Sequence, residues 1–138
     1  MKSLIVFGIT AANFAMIIVG LYGGGSIKKF LAKVSAIKDE QDMMLFKKMA
    51  AEQMYLTLFL MPVCVMSLLV YLFFLFTGFF TGSEKLFFLV QYVAIFYFSK
   101  KMKQDETKSR TLEVSSDTLR QERDHIVATW EKKPFPDW

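Results

Sequence analysis

The sequence has almost none of the side chains that catalysis depends on. It carries one cysteine and one histidine in 138 residues. The lone Cys64 excludes an intramolecular disulfide and a CxxC metal site. The lone His125 stands beside Asp124. Neighbouring helical positions do not face each other, so these two make no oriented base pair. HExxH, a Walker loop, GxSxG and metal-spaced acid clusters are all missing. The middles of the long apolar runs hold no ionisable residue. That argues against a charge-lined transport pathway, which announces itself by an ionisable group within a span. It also argues against a proton-driven rotor, because Glu52 stands too near the end of its run. No enzyme activity, cofactor or metal is expected.

What the sequence has is grease and charge kept apart. Hydrophobic residues make up 54% and charged residues 22%. Both values fit one chain only if they occupy different stretches. Leu4 to Tyr22 is a 19-residue run without charge, about 28 Å long as a helix and close to the hydrocarbon thickness of a bilayer. Met1-Lys2 before an apolar run also fits a signal peptide, but the length of the stretch favours a retained helix. A second run covers about 55–80 and contains Pro62, where a kink is expected. A third, Leu86 to Phe98, is short. It reaches spanning length as a helix over 84–103, with Ser83 as cap and Lys100, Lys101 and Lys103 snorkelling at its far end. The alternative is a re-entrant or interfacial segment.

Between the first two runs, Gly23-Gly24-Gly25-Ser26 predicts a helix break. Ile27, Phe30, Leu31, Val34 and Ile37 then form one face of an amphipathic helix within a connector of 26–53. Lys28, Lys29 and Lys33 lie opposite, facing anionic lipid, and surface-lying is favoured over a hairpin with the next helix. Asp39 caps that next helix. The tail, 104–138, is charged and predicts a helix over 117–132, capped by Ser115 or Ser116 and ended by Pro134. The reading is therefore an all-α integral membrane protein. It has three spans in a domain of residues 1–103, a short amphipathic cytosolic helix and a helical C-terminal tail.

Charge sets the orientation. Connector and tail carry eleven Lys and Arg near the segment ends, and the opposite side only Lys2 and Lys85. The positive-inside rule places connector and tail in the cytosol and the N-terminus outside, in a bacterial inner or organellar membrane. The net charge of +4 is explained by this flanking pattern, and no nucleic-acid partner is expected. Within the spans the polar groups are Asn13, Thr57, Cys64, Ser67, Thr77 and Gln91. Asn13 and Gln91 are the strongest, as interhelical glue or as a polar lining. Gly8, Ala12, Gly20 and Gly24 form a small-residue row, interrupted at Met16, that suits close helix packing. Trp130, Phe135 and Trp138 suit docking to a partner.

Three spans with an external N-terminus and a cytosolic helical connector resemble the smallest membrane insertases. The resemblance is one of topology. The charged groove and longer coiled-coil connector of those proteins are absent, and no residue role carries over. The function expected is that of a non-catalytic accessory or assembly subunit of a larger membrane complex, packed through its helices and aromatic tail. The alternative is a small oligomeric transporter or insertase-like factor.

Overall fold

A computed structural model describes all 138 residues as four helices and no strands. They are α1 (Lys2–Lys33), α2 (Glu40–Phe76), α3 (Gly82–Arg110) and α4 (Asp117–Lys132). α1 and α2 are long and apolar enough to cross a membrane, with windows of mean hydropathy 2.3 and 2.6. Only 17% and 11% of those windows is buried within the chain, whereas a soluble core helix would bury most of such a stretch.

The expected break after Tyr22 does not occur, because α1 runs straight through the three glycines. Its buried positions explain why. Ile9, Asn13, Met16, Gly23, Ile27, Phe30 and Val34 follow a 3-4 spacing, the seam of left-handed helix packing. Each glycine costs about 1 kcal/mol of helix propensity, but breaking there would forfeit the burial of Ile27, Phe30 and Val34. The amphipathic segment therefore stands as the last turns of α1. It packs as a hairpin arm against α2, and Lys28, Lys29 and Lys33 lie exposed on the opposite side.

α1 packs on both α2 and α3, and α4 packs on α2. The helix starts are locally encoded. The Asp39 side chain accepts from the amide of Asp42, and Ser116 accepts from that of Leu119. α3 starts earlier than expected, because Thr81 rather than Ser83 caps it, in a capping box with Glu84. Gly78, at φ +68°, supplies the left-handed turn between α2 and α3. α2 remains helical through Pro62.

Burial is divided between two clusters. The charged half of the bundle holds the larger core, built from Ile27, Phe30, Phe46, Met49, Ile126 and Trp130 among others. At the opposite end Ile9, Tyr71, Phe80 and Phe88 form a small aromatic cluster. The tail does not stand apart as its own unit. Ile37 donates to the carbonyl of Glu113, Ser115 donates back to that of Ile37, and α4 completes the larger core.

Candidate functional site

Asn13, Ser67, Gln91 and Tyr92 converge between α1, α2 and α3. The Asn13 amide donates to Gln91 Oε1 at 2.8 Å. Ser67 donates to Asn13 Oδ1 at 2.9 Å. Ser67 has one proton and spends it there, so the Tyr92 hydroxyl, 3.0 Å away, is the donor in the remaining contact. The result is one directed chain, Tyr92 to Ser67 to Asn13 to Gln91, in which each bond polarises the next. Asn13 is fully buried, and Ser67 and Gln91 are 7% exposed. The chain ends on Gln91 Nε2, which is buried without an acceptor. Asn13 and Gln91 thus meet each other, with their amide groups buried between the helices.

A second polar tie sits where the charged half begins. Gln53 Nε2 donates to the carbonyl of Gly23 at 3.1 Å. A Cβ on Gly23 would come within 3.1 Å of the Leu56 side chain and 3.2 Å of Gln53 Oε1. Gly23 is therefore the glycine whose smallness the helix packing uses. One turn further on, Ser26 donates to Glu52 at 2.6 Å.

The three glycines of the small-residue row take no part in this packing. Added Cβ atoms at Gly8, Gly20 and Gly24 meet nothing within 4 Å. The four residues also do not share one neighbour. Gly8 and Ala12 line a groove of about 480 Å³ between α1 and α2, floored by Pro62, Met66 and Ser67. Gly20 and Gly24 line a crevice toward α3 beside Lys101 and Asp105. Gly20 also borders a cleft of about 230 Å³ among the three long helices, with Thr57, Cys64 and Ser99 on its walls.

The aromatic tail divides. Trp130 is only 8% exposed and lies within the core. It meets Phe46 edge-on at 6.4 Å, and the Arg110 guanidinium lies 4.3 Å from its ring centroid. Its surface is spent inside its own chain and is not free to dock. Trp138 packs against the same core, while Phe135 remains 54% exposed. Arg110 also binds Glu106 and, at 2.9 Å, Glu131. No family model, curated protein or solved structure matches this chain.

Two contributors escaped the sequence reading, Tyr92 and Gln53. Gln53 and Ser67 are two heptads apart on α2 and Gly23 lies on the α1 seam. A 3.5-residue period traced along both helices would have placed these three at the interface. Tyr92 carried no such signal.

Proposed function

We propose that the chain is a multi-pass membrane protein that acts as a non-catalytic accessory or assembly subunit of a larger membrane complex. In this reading α1, α2 and the apolar part of α3 cross the bilayer. The N-terminus lies outside, and the charged half with α4 forms a cytosolic headpiece. Two observations support insertion. The apolar windows of α1 and α2 are largely unburied, and residues such as Phe7, Phe59 and Phe96 point outward at 71%, 65% and 77% exposure. In water such a surface would aggregate.

The subunit reading rests chiefly on the open small-residue surface. Gly8 and Ala12 border a groove that the chain leaves unfilled, and small residues let a further helix approach closely. Solubilisation in mild detergent is expected to recover stoichiometric membrane partners. Gly8→Leu with Ala12→Leu is expected to remove them while leaving the thermal unfolding midpoint in place. Recovery of only a monomer, or of a self-contained homo-oligomer, would overturn the proposal.

The interhelical cleft favours the transporter or insertase-like alternative. That reading requires the cleft to admit water. Cys64 lies on its wall and is the only thiol. Modification of Cys64 by a hydrophilic thiol reagent in sealed membranes would support the alternative, and an unreactive Cys64 would remove its structural basis.

A further inference from the structure

A groove of about 710 Å³ opens where the apolar stretch of α2 meets the charged ends of α3 and α4. One wall is apolar and includes Leu58, Met61, Pro62 and Val65. From Met54 to Val65 it follows α2 for about 16 Å at 1.5 Å per residue. The rim carries charges of both signs: Lys103, Arg110 and Lys133 with Glu106 and Glu131. A long apolar wall with charge at one end has the shape of an amphiphile, and the mixed rim states which kind.

Arg110 is committed to Glu106 and Glu131, yet its Nε remains buried without an acceptor. Lys103 pairs with no carboxylate. Lys133 pairs with the exposed Asp137 and has a half-exposed side chain. Glu131 offers one oxygen to Arg110 and keeps the other free, with its side chain 53% exposed. The rim thus combines one unpaired cation, Lys103, and a second, Lys133, held only by a surface pair that a ligand can displace, with an unspent carboxylate oxygen.

We propose that this groove binds a zwitterionic aminophospholipid, with its phosphate on Lys103 and Lys133, its ammonium on Glu131 and an acyl chain along Leu58 to Val65. Other lipids fit less well. An anionic headgroup would reach the same lysines but, with no cation of its own to offer, would leave the free Glu131 oxygen unpartnered. A choline headgroup has no N–H to donate to Glu131. A soluble phosphate would leave the apolar wall uncovered. The inference rests on the membrane-spanning reading, which puts the end of the apolar stretch at headgroup depth.

The test uses the full chain in detergent, titrated with phosphatidylethanolamine, phosphatidylcholine and phosphatidylglycerol of identical acyl chains and followed by native mass spectrometry. Phosphatidylethanolamine is expected to be retained about fivefold or more over the other two, the ratio that one charge contact at a lipid headgroup supplies. Lys103→Gln with Lys133→Gln should reduce that retention at least as much. Glu131→Gln should erase the preference over phosphatidylcholine while leaving phosphate-dependent binding. Glycerophosphoethanolamine, which has the headgroup but no chains, should not bind. Equal retention of all three lipids, preference for phosphatidylglycerol, or saturable binding of the chain-free headgroup would overturn the proposal. The wild-type comparison needs no variant, so a misfolded mutant does not blunt it. Release of the wild-type chain from membranes by carbonate would sink the membrane reading itself. A chain that stays in membranes without lipid preference would sink only the site.

Discussion

The charged half of the molecule buries a cluster of twelve residues, whereas the aromatic cluster at the far apolar end contains four. The same three helices run through both halves, so the difference lies in what surrounds them. The charged half excludes water with its own side chains, as a soluble bundle does, and needs α4 to do so. The apolar half leaves Phe, Leu and Met on its outside and is tied internally by the Asn13 chain of hydrogen bonds. In a lipid setting, apolar burial gives helices no drive to associate. A directed polar contact then specifies register where a greasy seam alone would slide.

The largest expected effect tests this division directly. Phe46 is fully buried between Phe30 and Trp130. Phe46→Ala should cost about 3–5 kcal/mol, the usual range for an emptied aromatic core site. Thermal unfolding in detergent would report it, together with faster proteolysis of α4. Phe88→Ala, at an equally buried site of the apolar half, should cost clearly less, because lipid or detergent can enter the vacated space. Equal losses would erase the contrast between the halves.

Glycine substitutions give the next largest effect. Gly23→Leu should destabilise by about 1–3 kcal/mol, the cost of overpacking a close contact, since Leu56 and Gln53 already crowd the site. Gly20→Leu, which enters open space, should leave the unfolding midpoint unchanged or raise it. A reversal of that order would show that the helices do not cross at Gly23. Asn13→Leu comes third. It deletes two interhelical bonds, each worth about 0.6 kcal/mol within a membrane, and should lower stability by about 1 kcal/mol. Ser67→Ala also deletes two interhelical bonds and should cost about as much, and an indifferent Asn13→Leu would mean that the polar chain holds nothing.

Much of the helical layout was legible because it is locally encoded. Asp39 and Ser116 announce two helix starts, Pro134 follows the end of the last helix, and the apolar runs locate α1 and α2. Asn13 and Gln91 were legible as polar groups in apolar runs, although nothing local says that they touch across 78 positions. The continuity of α1 was not legible, because three glycines read as a break wherever local propensity decides. Tertiary packing of Ile27, Phe30 and Val34 decides instead. Trp130 was misread for a related reason. Its place in the core depends on Phe46 and Arg110, which approach it only after the chain has turned back through the Ile37–Val114 bridge.

The smallest expected effect concerns Glu106, the half-buried carboxylate at the foot of the headpiece. Burial pushes its pKa above the ordinary 4.5, and the Arg110 and Lys103 charges only partly offset this. Glu131, on the same arginine, pushes in the raising direction. A carboxyl whose pKa is higher folded than unfolded binds its proton more tightly in the native state. Its contribution is therefore fully present below about 4.5 and is lost as pH rises through the raised folded value. The headpiece should lose a small increment of stability across that weakly acidic window and then level off. Glu106→Gln keeps a hydrogen-bonding group beside Arg110 but cannot titrate, so it should flatten the slope. Glu131→Gln, at a more exposed position, should leave the slope largely intact. Unfolding midpoints of the three proteins across the window, followed by tryptophan fluorescence, would separate these cases. A slope that survives Glu106→Gln would assign the titration to another group and remove Glu106 as the point where the headpiece senses pH.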